Sequence, residues 1–224
     1  MCGRFGLTRP DRLDLQRYGV TGEVPLQVPR FNIPPSSDIL VVRERKGVTQ
    51  ADMLRWGLVP SWAKDPSIGN RMANVRSDTA LEKSSFRTAM QKRRCLIPAD
   101  VFYEWQDVPG QKRRRPYAVA LNEGEPFALG GLWEAWREKE GGEWLITCAI
   151  LTTEPNELLA PIHDRMPVII GPEDYADWVA VTTPVEAVRR LVESPPSSNM
   201  RAWEVSLLVN DPKTDDARVI APID

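Results

Sequence analysis

Histidine and cysteine are scarce in this chain of 224 residues, which contains one His and three Cys. Cys2, Cys95 and Cys148 are odd in number and widely spaced, which argues against the disulfide framework of a small secreted protein. None of them forms a C-x-x-C pair, and one histidine adds little to a ligand set, so we expect no metal site and no other cofactor.

The chain also lacks a long apolar run and a large excess of charge of either sign. No stretch is long enough to cross a membrane, and the opening letters MCGRF do not resemble a signal peptide. Lys and Arg number 29 against 31 Asp and Glu, a net charge of −2. These features predict a soluble, cytoplasmic protein that would need a local basic patch to bind an anionic partner.

The order of predicted elements indicates an α+β fold. The twenty prolines favour short elements and bends. Strand patterns mostly follow one another, and helical patterns are inserted between them. Strands are predicted over 39–45, 48–56, 95–98, 101–106, 117–121, 127–136, 144–153, 166–170, 203–209 and 218–220, and helices over 8–18, 77–92, 172–179 and 184–192. We therefore expect a single domain over 1–224, a strongly bent, barrel-like mixed or antiparallel sheet surrounded by short helices.

Cys2 is the first candidate for chemistry. Initiator methionine is normally removed when the second residue is small, and its removal would leave an amine and a thiol on Cys2. A free α-amine has a pKa of about 7.7–8.0 and can form a Schiff base with an aldehyde. The thiol can then close a five-membered thiazolidine ring. The plain alternative is a small structural residue that happens to follow Met1.

Glu104 and His163 are the candidates for proton transfer. In a strand, Glu104 shares a face with Phe102, and burial in so apolar a segment would raise its pKa into the range of a general acid or base. His163 lies in a loop bracketed by prolines and titrates near neutrality. A solvent-facing glutamate and a structural histidine remain the alternatives at this point.

Three further groups are candidates for binding DNA. Asn74 and Arg76 precede a predicted helix, where a guanidinium can face a phosphate, although a capping loop is an equally simple interpretation. Basic runs at 92–94 and 112–115 are either backbone contacts or solvated loops. Trp56, Trp62 and Trp105 could stack on bases, but tryptophans more often belong to the core.

Nine segments, in order along the chain, together resemble the SRAP family, the SOS-response-associated peptidases or abasic-site processing proteins. No single segment is decisive, but their number and order are specific. The segments are MCGRF at 1–5, RFNI at 30–33, RWGLVPSW at 55–62, NVRS at 74–77, RCLIPAD at 94–100, FYEW at 102–105, ILTT at 150–153, IHDRMP at 162–167 and VN at 209–210.

The resemblance implies a covalent reaction with abasic sites in single-stranded DNA. It implies that Cys2, freed of Met1, crosslinks to the opened sugar, that Asn74 positions the amine, and that Glu104 and His163 move protons. The residues that it implies for DNA binding are Arg76, Arg165, Trp62, Trp105, Pro34 and, more weakly, Arg4. The chain departs from the family at Asp78, where the family often has Glu. The shorter side chain concerns any ion pair that the resemblance implies at this position.

Two other functions stay open from the sequence. A thiol peptidase that uses Cys2 and His163 would hydrolyse amides in trans without any need for an aldehyde. A non-catalytic single-strand binder would survive the loss of Cys2 and show salt-sensitive, reversible binding. An N-terminal aminothiol suits aldehyde capture better than either function.

Overall fold

A computed structural model describes residues 2–138 and 141–223, and these residues form one α+β domain with thirteen short strands and three short α-helices. The strands are β1 Phe5–Leu7, β2 Arg30–Ile33, β3 Asp38–Arg45, β4 Val48–Trp56, β5 Asn74–Arg76, β6 Arg94–Ala99, β7 Val101–Gln106, β8 Arg115–Leu121, β9 Phe127–Trp136, β10 Leu145–Thr153, β11 Met166–Pro167, β12 Ile169–Ile170 and β13 Met200–Glu204. The helices are α1 Arg87–Lys92, α2 Tyr175–Val179 and α3 Val185–Val188, with 3-10 turns between the elements.

Five strands close into a barrel in the order β10, β4, β3, β6 and β9. The ring closes because β10 pairs in parallel with β4 and antiparallel with β9. Closure leaves no free edge among these strands, and their alternating side chains fill the interior. The prediction of a strongly bent, barrel-like sheet with short helices around it is therefore confirmed.

The hairpin between β3 and β4 shows how local chemistry fixes a register. Arg45 pairs with Val48, and the two turn residues Lys46 and Gly47 have φ values of 54° and 78°. A two-residue hairpin turn of this twist requires positive φ at both positions, which glycine adopts without strain. The predicted strands and the turn between them are confirmed.

A second sheet, in the order β13, β8, β7, β1 and β2, lies beside the barrel. Its strand β7 is buried on both faces over most of its length. Phe102 packs in the cluster that contains Cys2, whereas Val101 and Tyr103 pack in a separate cluster near the C-terminal segment. The alternation places Glu104 on the face of Phe102, as predicted.

Several predicted elements are wrong. The helix over 77–92 is confined to its last turn and a half, because the hydroxyl-rich stretch before it forms turns instead. The region 8–18 contains only the 3-10 turn Pro10–Arg12, and 218–220 is a 3-10 turn rather than a strand. The last strand starts and ends earlier, at Met200–Glu204. Within the described residues no helix is long and apolar enough to span a membrane.

Candidate functional site

Cys2 lies three residues before β1 and is fully buried. β1 runs antiparallel to β7, with Phe5 opposite Phe102 and the Tyr103 N–H donating to the Arg4 carbonyl at 3.0 Å. Continuing this register directs the chain start along β7 toward Glu104. Burial raises the pKa of the Cys2 thiol far above its usual value, and the charge of Glu104 adds to the effect. The thiol is therefore neutral at physiological pH. Met1 itself lies outside the described residues.

Glu104 is one of the few acidic side chains in the interior, with 1% of its surface exposed. Burial raises its pKa from 4.5 to about 7, because a charged carboxylate is poorly solvated there. A carboxyl group of this pKa is populated in both protonation states near pH 7. That property suits a general acid or base, and the solvent-facing alternative is excluded.

His163 approaches Glu104 from the loop that follows β10. Its Nε2 lies 3.8 Å from Glu104 Oε2, and burial lowers the pKa of the imidazole. The lowered pKa and the long separation indicate a neutral histidine rather than an ion pair. Its Nδ1 accepts from the Arg165 N–H at 3.0 Å and lies 2.9 Å from Asp164 Oδ1. These contacts hold the imidazole ring of His163 beside Glu104.

Asn74 reaches the same region on β5, which pairs in parallel with β10 so that Asn74 lies opposite Ile150. Its Oδ1 atom is buried and has no hydrogen-bond partner among the described residues. Ala73 and Ile162, the chain neighbours of Asn74 and His163, belong to the apolar cluster that also contains Cys2. Glu104 thus lies beside His163, and its charge acts on the Cys2 thiol. Asn74 is linked to this group only through its neighbour Ala73, and the roles of all four residues stay predictions.

Arg76 and Arg165 lie close together, and the carboxylate of Asp78 faces both of them. Arg76 binds Asp78 through two hydrogen bonds of 2.7 and 3.2 Å, and Arg165 Nη1 lies 3.8 Å from the same Asp78 Oδ2. Arg165 also donates to the Thr152 carbonyl at 2.6 Å. A groove of about 690 Å³ opens beside Asp78 and Arg165. Arg165 and Asp78 line this groove, whereas Arg76 meets it only through Asp78. Two guanidinium groups around one carboxylate form an arrangement that can also bind another anion.

The remaining predicted DNA ligands differ in accessibility. Trp62 is exposed over 57% of its surface, which leaves its ring available for stacking, and Pro34 is half-buried. Trp105 is half-buried and donates to Asn210 Oδ1 at 2.7 Å. Arg4 uses Nη1 to bind Asn32 and the Val209 carbonyl at 2.7 and 2.8 Å. DNA contact by these four residues stays a prediction, and Arg4 has a structural task already.

Two residues suggested for DNA contact are structural instead. Trp56 is fully buried, and its Nε1 donates to the Ala73 carbonyl at 2.8 Å. Arg94, in the basic run 92–94, has an exposed fraction of only 2% and donates to five backbone carbonyls. The residues next to Trp56 and Arg94 in the chain do not distinguish them from exposed residues of the same type.

The structure adds residues that the motifs did not single out as functional. Thr152 holds Arg165 through its carbonyl, and Gln106, at the end of β7, donates to the Pro161 carbonyl at 2.8 Å. The Gln106 bond ties the strand of Glu104 to the loop of His163. Within 2–138 and 141–223, no group of three or more His, Cys, Asp or Glu is arranged to hold a metal ion.

Comparison with known proteins gives the family. The sequence model described as "SOS response associated peptidase (SRAP)" matches residues 1–212. The chain belongs to the SRAP family. It is 39% identical over 226 residues to "Abasic site processing protein YoqW" of Bacillus subtilis strain 168, covering 98% of this chain and 99% of that protein.

A vertebrate SRAP protein is also similar along the whole chain. "Abasic site processing protein HMCES" of Pongo abelii is 32% identical over 275 residues, covering all of this chain and 77% of that protein. A crystal structure of a protein from Bacteroides thetaiotaomicron superposes with a TM-score of 0.85 at 22% identity, over 99% of this chain and all of that one. This last likeness shows that the SRAP fold is shared.

Proposed function

We propose that this SRAP protein processes abasic sites in single-stranded DNA by forming a covalent thiazolidine crosslink through Cys2. The names of its relatives, abasic site processing proteins, support the substrate class. The observation that supports the chemistry is the buried Glu104, which has a pKa of about 7, lies 3.8 Å from His163 and acts by its charge on the Cys2 thiol.

The reaction begins once hydrolysis of the Met1–Cys2 peptide bond, which consumes one water, has freed the amine. The abasic sugar is mostly a closed hemiacetal, and its opening moves a proton from the hydroxyl on C1′ to the ring oxygen. In this proposal Glu104 and His163, which lie 3.8 Å apart, carry that proton as a general acid–base pair. The product of this step is an aldehyde at C1′.

The neutral amine of Cys2 then adds to C1′, and loss of one water gives an imine. The Cys2 sulfur next bonds to C1′, and the thiol proton ends on the nitrogen, which closes the thiazolidine. This order fits the raised pKa of the buried thiol, which makes thiolate attack unfavourable as the first step. At the imine stage, loss of a proton from C2′ would expel the phosphate from C3′ and so break the strand. Some lyase activity therefore accompanies crosslinking.

Single-stranded DNA suits this site because its sugar is reached without breaking base pairs. In this proposal Arg76 and Arg165, which both face Asp78, bind phosphates, and the exposed ring of Trp62 stacks on a base. Contacts of these two types carry no sequence information, so recognition is independent of sequence. The adduct would shield the lesion from other enzymes during the response to DNA damage.

The experiment combines intact-protein mass with denaturing electrophoresis after incubation with an oligonucleotide that carries one abasic site. We expect a mass without Met1 and a heat-stable protein–DNA band. Cys2→Ser is the matched variant, because it keeps the amine and loses the thiol. It should give no stable band but a band that borohydride traps as the reduced imine.

Other outcomes separate the alternative functions. A wild-type protein that lacks Met1 and binds the DNA but forms no covalent band would contradict the proposal and favour a simple binder. Hydrolysis of peptide substrates that needs Cys2 and His163 and ignores the DNA would favour a peptidase.

A further inference from the structure

Asp78 occupies the place where a DNA phosphate would bind. Its Oδ2 lies 2.7 Å from Arg76 Nη2 and 3.8 Å from Arg165 Nη1, so one carboxylate oxygen faces two guanidinium groups. The second carboxylate oxygen accepts from Arg76 Nε at 3.2 Å. A phosphate oxygen that displaced the Asp78 carboxylate would meet the same donors, because a carboxylate and a phosphate match the guanidinium fork alike.

The two arginines depend on Asp78 to different degrees. Arg165 is anchored without it, since its side chain is 7% exposed and donates to the Thr152 carbonyl. Its buried Nε has no hydrogen-bond partner among the described residues. Arg76 is 53% exposed, and Asp78 is its ion-pair partner. Loss of the Asp78 charge would therefore free Arg76 and uncover an Arg165 that stays in place.

Asp78 is ionised under ordinary conditions. The hydrogen bond from Arg76 lowers the pKa of the Asp78 carboxyl below its usual value. At neutral pH the three side chains thus carry a combined charge of +1, and a neutral residue at 78 would leave +2. The Asp78 carboxylate therefore keeps a negative charge between Arg76 and Arg165 at neutral pH, and this charge repels a phosphate.

We propose that Asp78 is a specificity-determining residue that competes with DNA phosphates for Arg76 and Arg165 and so weakens reversible binding to undamaged single strands. This inference rests on the proposed function for its DNA ligand. A protein that captures its target covalently gains little from tight reversible binding. Tight binding would instead hold the protein on the great excess of undamaged DNA, where no aldehyde is present.

The test measures binding of an undamaged oligothymidine by fluorescence anisotropy at three salt concentrations. We expect Asp78→Asn to bind about two- to fivefold more tightly, the scale of an exposed ion pair. Its logarithmic salt slope should steepen by about 0.7, one further phosphate contact. Asp78→Glu keeps the competing charge and should stay within about twofold of the wild type.

Asp216→Asn is the matched control, because Asp216 binds Arg218 two residues away with the same fork, at 2.7 and 2.8 Å. It should leave DNA binding unchanged. Equal or weaker binding by Asp78→Asn would overturn the inference, since Asp78 would then only orient Arg76. Covalent yield on an abasic oligonucleotide is scored separately, so loss of the crosslink in the wild type counts against the proposed function and not against this competition.

Discussion

The chemistry of this SRAP protein depends on how a few side chains are buried. Glu104 lies on β7 of the second sheet, on the same buried face as Phe102. Its pKa of about 7 means that the folded protein opposes ionisation of this residue, at a cost in stability, while keeping it available for proton transfer. The same environment keeps the Cys2 thiol protonated.

The rate of crosslinking should depend on Glu104. We expect Glu104→Gln to slow single-turnover crosslinking by about 10²- to 10⁴-fold, because a proton carrier is lost while the shape is retained. The wild-type rate should change across pH 7, and the variant should lack that change. Rates between pH 5.5 and 8.5 check this, with the exposed Glu157→Gln as control. A variant that keeps the wild-type rate and profile would remove Glu104 from the mechanism.

Stability should respond to the same residue with a definite sign. The pKa of Glu104 is raised from 4.5 to about 7 on folding, so its contribution is fully present below pH 4.5 and is lost as pH rises through 7. Between pH 4.5 and 7 the wild type should lose up to about 3 kcal/mol that Glu104→Gln keeps. Urea unfolding at pH 4.5 and 8.5 measures this difference, and an equal pH dependence in both proteins would contradict it.

At the scale of elements, Arg94 joins two helices to the barrel. It donates to the Met90 and Gln91 carbonyls at the end of α1 and to carbonyls of the region around α2. The last carbonyls of a short helix have no donor farther along it, and a guanidinium has enough donors to bind several of them. The basic run at 92–94 therefore includes a structural anchor.

Replacement of this anchor should affect folding rather than DNA binding. We expect Arg94→Lys to lower the free energy of unfolding by about 3 kcal/mol or more, because an ammonium group cannot reach all five carbonyls. The affinity of the folded variant for single-stranded DNA should be unchanged. Denaturant unfolding and anisotropy test the two parts. The exposed Arg87→Lys is the control, and a loss of affinity without a loss of stability would show that Arg94 binds DNA.

At the scale of the whole molecule, the two chain ends are locked together. The Asn32 amide donates to the carbonyls of Val209, Asp211 and Thr214, and its Oδ1 accepts from Arg4. The Asp215 carboxylate accepts from the Asn32 N–H at 2.8 Å. Residues beyond the matched family region thus hold β2, which pairs with the strand that follows Cys2.

Loss of the lock should weaken the whole domain. Asn32 is fully buried, so Asn32→Ala leaves several buried groups without partners and should cost about 2–4 kcal/mol. Crosslinking should slow as well, since Arg4 lies two residues from Cys2. Urea unfolding and crosslinking rates measure both effects, with the exposed Asn199→Ala as control. Unchanged stability would show that the C-terminal segment only rests on the surface.

The sequence by itself determined the features that depend on local patterns and ordered motifs. The alternation of β7 predicted the face of Glu104, and Lys46–Gly47 predicted the hairpin turn, because both depend on near neighbours in the chain. The ordered segments gave the family. The predictions failed over 77–86, where hydroxyl side chains favour turns over a helix, and over 218–220, which is largely a 3-10 turn instead of a strand.

Only the tertiary structure decided which side chains meet and how buried they are. Closure of the barrel brings Asn74 on β5 beside β10, and β7 carries Glu104 to within 3.8 Å of His163, fifty-nine positions away. Trp56 and Arg94 are of residue types that are common on DNA-binding surfaces, but both lie in the interior. The physical reason is that burial, pKa shifts and the charge competition proposed for Asp78 depend on distances in space. Those distances involve residues that are far apart in the chain, so neighbouring residues in the sequence do not reveal them.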